Sequence, residues 1–227
     1  MGKKIAIYGA GTIGACQATL TSGNGYSTVV IGHSEEGLSR CRNTMLQNWN
    51  NLIAQKLATA ANRRAAMDLV TITNDVSALR DCDIVFEAVS EDVNIKQRVY
   101  SIITEVCGRD IIVVSTTSSI DAAILAEKIE NPARFLIAHP FQPVHMLPLV
   151  EVVRHTETSE ETLNQVCTLL KDLNRQVVML NRSVPGFLVN RFAQALFRES
   201  IYLIEQGITT AADIDQLSMQ LECGTLL

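Results

Sequence analysis

An α/β fold built on a doubly wound parallel sheet is what the sequence predicts, and three observations predict it. An apolar run from Lys4 breaks into three glycines, Gly9, Gly11 and Gly14, and continues as a helical stretch through Leu20: a strand, a tight turn and a helix in that order. Asp83 to Val89 and Ile111 to Ser115 read as the continuous strands that parallel sheets bury on both faces. Between such runs the chain takes on helical periodicity, so strands and covering helices alternate. The expected architecture is Rossmann-like, with a helical hairpin insertion and a short all-helical C-terminal domain beginning near residue 185.

With 227 residues and 47% hydrophobic content, the chain is long enough for one large α/β core and a smaller appendage. Its 19 basic and 24 acidic residues give a net charge of -5, too mild and too mixed for a nucleic-acid or membrane surface, so the expected partner is a small molecule. Six cysteines (Cys16, Cys41, Cys82, Cys107, Cys167, Cys223) lack CxxC spacing and read as reduced, mostly buried hydrophobes; no metal site is expected, and the compartment expected is cytoplasmic. Met1 to Lys4 leads straight into a strand, leaving no room for a signal peptide, and no apolar run reaches membrane-spanning length.

The first strand and helix flank the glycine turn, and each glycine has a task. Gly9 permits the sharp turn, Gly11 lets a pyrophosphate approach bare backbone, and Gly14 lets the helix pack on the sheet, with Thr12 and Ile13 opening that helix. Dinucleotide binding follows from this setting, the plainer alternative being an ordinary βα turn. Ser27 to Ile31 is the second strand, and His33 follows it where a carboxylate usually reads the ribose hydroxyls of NAD. Ser34, Arg40 and Arg42 offer donors to a 2′-phosphate while Glu35 and Glu36 oppose it, so the sequence leaves NAD and NADP both open. His33 reads equally well as a strand-end residue beside a ribose held by backbone amides.

From Glu35 to about Ala66, apolar Leu38, Cys41, Met45, Trp49, Ile53 and Leu57 recur at helical spacing, with a break expected near Ala58 to Asn62. Lys56, Arg63 and Arg64 form either a solvated face or a basic end for a phosphorylated substrate tail. Strands follow at Val70 to Thr73 and Asp83 to Val89, then a helix over Asn94 to Val106 with Ile95, Val99, Ile102 and Val106 on its apolar face and Lys96 elsewhere. Ile111 to Ser115 is a strand and Asp121 to Glu130 a helix, closed by Asn131-Pro132. Glu91 and Ser118 both fall at carboxyl ends of strands, where such sheets bind ligands.

Phe135 to Ala138 is a strand that delivers His139 to the sheet edge, and Leu149 to Val153 is a second strand carrying Glu151. A turn between them allows the two side chains to meet. Oxidation of an alcohol requires a base for the hydroxyl proton, and imidazole suits both directions near neutrality. A carboxylate on the far ring nitrogen fixes the tautomer and stabilises the imidazolium. The alternative is a structural histidine at a strand end. His145 and His155 read as surface residues. Glu160 to Leu173 is an amphipathic helix, Gln176 to Leu180 a last strand, Leu188 to Gln206 a long helix ended by Gly207, and Thr210 to Asp213 the capped start of another. Residues 1–184 are thus read as a dinucleotide-binding domain with the catalytic histidine, and 185–227 as a truncated helical substrate and dimer domain.

Over nearly its whole length the chain resembles the 3-hydroxyacyl-CoA dehydrogenase family, through GAGTIG at 9–14, FEAVSEDVNIK at 86–96, STTSSI at 115–120, AHPFQPVHMLPLVEVV at 138–153 and PGFLVNR at 185–191. The resemblance implies an oxidoreductase of fatty acid metabolism that passes hydride from an L-3-hydroxyacyl compound to the nicotinamide of NAD, NADP not being excluded. It makes His139 the acid/base, Glu151 its orienting carboxylate, and Ser118 and Asn190 donors to the substrate oxygen. It also lays Glu91, Lys96 and Gln142 against the cofactor. Where the family more often has Asn, this chain has Gln142. The HPFxPxHxxPLVEV wording is closer to the branch that holds L-carnitine and L-gulonate dehydrogenases, which makes a free hydroxy acid a rival to an acyl-CoA. The chain stops after the Asp213 to Gln220 helix, where the family adds further helices. An apolar face with Phe192, Phe197 and Leu203 then implies association as a homodimer or a truncated product, and a protein that binds cofactor without useful catalysis is the second expectation.

Overall fold

The structure, a computed structural model, describes the backbone of residues 3–222 and the side chains of residues 3–218; Cys223 and the rest of the C-terminal segment lie outside the described residues. The chain divides into two compact units, residues 1–185 and 186–227. The first holds one eight-stranded sheet in the order β3-β2-β1-β4-β5-β6-β7-β8. Its strands are β1 (Lys4–Tyr8), β2 (Ser27–Ile31), β3 (Val70–Thr73), β4 (Ile84–Glu87), β5 (Ile112–Ser115), β6 (Phe135–Pro140), β7 (Leu149–Arg154) and β8 (Gln176–Leu180). Its helices are α1 (Thr12–Gly23), α2 (Glu35–Ala54), α3 (Ala60–Asp68), α4 (Val93–Cys107), α5 (Ala122–Ala126) and α6 (Glu160–Asp172).

The first six strands of that series are parallel, with β1 between β2 and β4, so the order reverses at β1 and β4. The sheet is not parallel throughout: β7 pairs antiparallel with β6, and β8 follows β7 in parallel. Only residues 141–148 join β6 to β7, too few for a crossover helix, so the chain must fold straight back.

Ile5, Ile7, Ile84, Phe86, Ile112, Val114, Leu136 and Val152 from the strands pack in one buried core with Ala15 and Ala18 of α1 and with Leu163, Val166 and Leu170 of α6. Residues 14–22 of α1 are all buried, because α1 lies between the sheet and the α2–α3 hairpin. Its polar side chains turn inward onto its own backbone: Thr19 and Ser22 hydroxyls donate to the carbonyls of Ala15 and Ala18 at 2.8 and 2.7 Å. Asn48 of α2 reaches back to the Thr19 hydroxyl at 3.2 Å. Met45, Cys41 and Trp49 bury the hairpin's inner face, and a β-carbon at Gly23 would stand 3.2 Å from the Trp49 ring. Ser34 caps α2 by accepting from the Gly37 amide at 3.2 Å, and Thr59 with Asn62 forms a capping box on α3.

Four expectations about the elements need correction. Leu57 does not continue the buried stripe; it is 66% exposed, because α2 ends at Ala54 and the chain reverses at Lys56, whose φ is 62°. The buried face of α4 is Lys96, Val99, Tyr100, Ile103 and Thr104, so Ile95 points outward at 43% exposure and Lys96 points inward at 1%. A buried carboxylate at the end of β4 draws that face round. α5 stops at Ala126, where the Ile129 amide bonds the Ala126 carbonyl in a tighter turn. β4 is shorter than 83–89, and β6 longer than 135–138, so His139 lies inside a ladder.

Among the described residues the five cysteines Cys16, Cys41, Cys82, Cys107 and Cys167 are free thiols, three of them buried. Burial pushes the Cys41 and Cys82 thiols up to about 11, which keeps them unreactive. No helix among the described residues is long and apolar enough to cross a membrane. In the second unit, α7 (Val189–Glu205) and α8 (Ala211–Glu222) are joined by a short turn. Thr210 caps α8, accepting from the Asp213 amide at 3.3 Å and donating to its carboxylate at 2.7 Å. No residue of α7 is buried, and Phe192, Leu196 and Phe197 are each more than half exposed.

Candidate active site

The reversal of strand order puts the glycine turn, at the end of β1, against the end of β4. Gly9 has φ of 131° and donates its amide to the Ile31 carbonyl at 2.9 Å. A β-carbon there would meet the Ala88 carbonyl oxygen at 2.4 Å, and one at Gly14 would meet the Gly9 oxygen at 1.8 Å. Both positions therefore exclude a side chain. Gly11 is the opposite case: a β-carbon there meets nothing within 4 Å. It is exposed, it is the N-cap residue of α1, and no side chain caps that helix. Thr12 is exposed and Ile13 half-buried beside it. Open backbone amides at a helix N-terminus, approached over a glycine, form a cradle for phosphate. The cradle fits the pyrophosphate of a dinucleotide.

His33 is exposed just beyond β2. Beside it, the Ser34 hydroxyl accepts from the Gly37 amide to cap α2, and Arg40 pairs with Glu36. Arg42 turns to the other side of the hairpin, where it lines a cavity of about 430 Å³ with Arg63 and Arg64. Arg63 also donates to the Asn50 side-chain oxygen at 2.8 Å. Lys56 is exposed at the hairpin turn.

A polar network occupies the ends of β4 and β5. Glu87, wholly buried, accepts from Lys96 Nζ, the Val89 amide, the Tyr100 hydroxyl and the Ser115 hydroxyl, each at 2.8 Å. Four donors in these positions suit a carboxylate, which only accepts. Burial, and next the charge of Glu87, push the Tyr100 phenol far above its ordinary range, so it stays a donor. Lys96 Nζ also stands 3.2 Å from Glu91 Oε2, whose side chain is 39% exposed. Glu91 Oε1 in turn accepts from the Thr117 hydroxyl at 2.5 Å and the Ser118 amide at 3.0 Å, with the Ser118 and Ser119 hydroxyls at 3.4 and 3.3 Å. Burial raises the Glu91 carboxyl, but the Thr117 bond, the Lys96 charge and the Ser118 amide outweigh it and hold the group below the usual carboxylate range. Glu91, Lys96 and Ser118 are thus brought together.

His139 and Glu151 face each other across the antiparallel β6–β7 pair. Nδ1 of His139 stands 2.8 Å from Oε2 of Glu151, and the two residues are 7% and 0% exposed. A carboxylate accepts only, so Nδ1 carries the hydrogen and Nε2 is the basic nitrogen. The Phe141 ring packs on the imidazole with centroids 4.7 Å apart. Gln142, the next residue, is exposed. Asn190 belongs to the second unit, at the second residue of α7.

Two histidines are not the surface residues expected. The ring nitrogens of His145 are both buried, and burial, then the charge of Arg175, lower its pKa from the ordinary 6.5. His155 is half-buried and accepts from the Glu157 amide at 3.2 Å. The residues that sequence reasoning missed are Glu87, Tyr100, Thr117 and Phe141. Glu87 carried a signal, a carboxylate ending the apolar run Ile84-Val85-Phe86, since a buried charge requires partners. Lys96 and Tyr100, one helical turn apart, are those partners.

Residues 4–183 match the NAD binding domain of 3-hydroxyacyl-CoA dehydrogenase, and residues 186–225 match the C-terminal domain of the same family. L-carnitine dehydrogenase of Bacillus cereus is 31% identical over 214 residues, 94% of this chain, and the chain spans only 64% of that relative's length. 3-Hydroxybutyryl-CoA dehydrogenase of Clostridioides difficile is 29% identical over 94% of the chain and 75% of its own length. The crystal structure of (S)-3-hydroxybutyryl-CoA dehydrogenase from Ralstonia eutropha superposes with a TM-score of 0.90 at 29% identity, covering 98% of this chain and 78% of the other. With a doubly wound sheet, a phosphate cradle at its switch point and a match running from residue 4 through residue 183, the chain belongs to the 3-hydroxyacyl-CoA dehydrogenase family, whose NAD binding domain it carries.

Proposed function

We propose that the protein is an NAD-dependent dehydrogenase of an L-3-hydroxyacyl-CoA, the reaction running reversibly to the 3-ketoacyl-CoA. The observation that carries this reading is the His139–Glu151 pair, 2.8 Å apart at the sheet edge. NAD supplies the hydride acceptor when bound. The chain's own residues do the rest. Gly9, Gly11, Thr12, Ile13 and Gly14 hold the pyrophosphate, with His33 at the ribose end and Glu91 and Gln142 on the other side of the crevice; Lys96, buried behind Glu91 at 3.2 Å, acts through that carboxylate rather than on the cofactor. Ser118 and Asn190 hold the substrate's C3 oxygen by hydrogen bonds. Nε2 of His139 takes the hydroxyl proton as hydride leaves C3, and Glu151 stabilises the imidazolium that forms. In the reverse direction His139 returns the proton to the oxygen.

In this reading residues 1–184 bind the dinucleotide and carry His139, and residues 185–227 supply Asn190 and a homodimer surface. The exposed apolar face of α7, with Phe192, Leu196 and Phe197, supports the dimer. The cavity that Arg42, Arg63 and Arg64 line with Asp68 and apolar Leu46, Ala60 and Met67 offers three guanidinium groups against one carboxylate, which supports a substrate with a phosphorylated tail. A free 3-hydroxy acid is the second reading, favoured by the likeness to an L-carnitine dehydrogenase and by the HPFxPxHxxPLVEV wording. A panel of L-3-hydroxyacyl-CoA thioesters and free L-3-hydroxy acids, each with NAD and NADP, tests the proposal. Reduced-cofactor absorbance that grows with a thioester and NAD supports it; growth only with free acids supports the second reading. Tight NAD binding without turnover of either class leaves a cofactor-binding protein.

A further inference from the structure

Glu87 lies outside the assigned site, yet its carboxylate accepts four hydrogen bonds, each at 2.8 Å. It is wholly buried, and its ion-pair partner Lys96 is 1% exposed. Lys96 stands between two carboxylates, Glu87 at 2.8 Å and Glu91 at 3.2 Å. Two carboxylates and one ammonium sum to one net negative charge. Glu87 is sealed away, so that charge is expressed through Glu91, whose side chain is 39% exposed at the rim of the crevice.

The fold says which part of a dinucleotide this rim meets. A doubly wound sheet has two mononucleotide halves, with the pyrophosphate over the first βα turn, where the strand order reverses. The adenosine half belongs to β1, β2 and β3, and the other half to β4, β5 and β6. Glu91 follows β4 and bonds Thr117 and Ser118 just beyond β5, so it stands on the nicotinamide half. The oxidised nicotinamide ring is a cation and the reduced ring is neutral. An uncompensated anion at this rim therefore favours the oxidised form.

We propose that Glu87 is a positioning residue that sets the redox-state preference of the site: by holding Lys96 it leaves Glu91 as a net anion facing the nicotinamide half. The inference rests on the dinucleotide reading of the crevice and adds to it a residue that no part of the mechanism uses. Glu87→Gln keeps the shape and removes one charge, so Lys96 then neutralises Glu91. Glu87→Gln with Lys96→Met removes both buried charges and restores the net charge at Glu91. Replacing a buried pair by neutral groups of similar size is tolerated in stability far better than removing one partner.

The test measures the dissociation constants of NAD+ and NADH on the full chain by titration calorimetry, without substrate. The ratio of the two constants (NAD+ over NADH) rises about five-fold in Glu87→Gln, the scale of one unit charge acting over several ångströms near a protein surface. It returns to within about two-fold of the wild-type value in the double variant. A role in packing alone changes both affinities together and gives no such return. Should Glu87→Gln not fold, Lys96→Met carries the test: Glu91 keeps its charge, so the ratio stays at or below the wild-type value, and a rise overturns the proposal. An unchanged ratio in Glu87→Gln overturns it while leaving the dinucleotide reading intact. A wild-type chain that binds neither nucleotide overturns that reading and the proposal with it.

Discussion

His139 and Glu151 are register partners on the antiparallel β6–β7 pair, with Nδ1 2.8 Å from Oε2 and both side chains buried. The backbone ladder holds the pair. The short return of residues 141–148 places the carboxylate opposite the imidazole where a parallel neighbour would not, so the one antiparallel step of the sheet and the candidate catalytic pair have a single cause.

Glu151→Gln keeps a hydrogen-bonding group beside Nδ1 but removes the charge that selects the tautomer and stabilises the imidazolium. In steady-state assays kcat is expected to fall about 10²- to 10⁴-fold, with the NAD dissociation constant nearly unchanged. A Kd that rises in step with the loss of kcat would instead mean a damaged fold.

Gly11→Ala and Gly14→Ala separate binding from packing. A β-carbon at Gly14 meets the Gly9 oxygen at 1.8 Å, whereas one at Gly11 meets nothing within 4 Å. Gly14→Ala is expected to lower the Tm or abolish soluble expression. Gly11→Ala is expected to leave the Tm in place and to weaken NAD binding by about ten-fold or more, because the methyl group fills the space a pyrophosphate needs.

Trp49 ties the hairpin to α1. It is 4% exposed, and its ring lies under Gly23. Trp49→Ala is expected to cost about 3–5 kcal/mol, read as a lower denaturant midpoint. A loss under about 1 kcal/mol would show that the hairpin does not depend on this contact.

The pH dependence of stability follows from His145 and Glu91, both with lowered pKa values. Burial, and then Arg175, depress His145 below 6.5. The unfolded chain therefore binds the proton more readily, and the stability from keeping the ring neutral is complete above pH 6.5 and lost as pH falls through the lower folded value. Glu91 has the same sign in a more acid window: its contribution is present above 4.5 and is lost below that, through its depressed folded value. His145→Phe is expected to flatten the fall in Tm between about pH 7 and pH 5 while leaving the more acid loss in place.

Much of this was legible in the sequence because strand periodicity, glycine spacing and caps are local. β2, β3 and β8 have the bounds that their apolar runs and flanking breaks predict, and the Thr210 cap is where the hydroxyl and Asp213 predict it. The rest was set by contacts distant in sequence. Lys96 reads as a surface lysine on any helical wheel, and only Glu87, nine residues earlier on another element, turns it inward. His145 looks solvated in its loop until α1 and α2 close over it, with Leu20 and Trp49 among the residues that line the same cavity. Glu91 and Ser118 were each visible at a strand end, but not that one carboxylate oxygen collects the whole 117–119 turn.

The central claim is that His139 moves the proton. It is tested most directly by comparing His139→Gln with the wild-type chain on an L-3-hydroxyacyl-CoA and NAD, following reduced-cofactor absorbance alongside NAD binding. The account predicts NAD affinity within about two-fold of wild type and kcat lower by about 10²- to 10⁴-fold. Turnover by His139→Gln at the wild-type rate would contradict it.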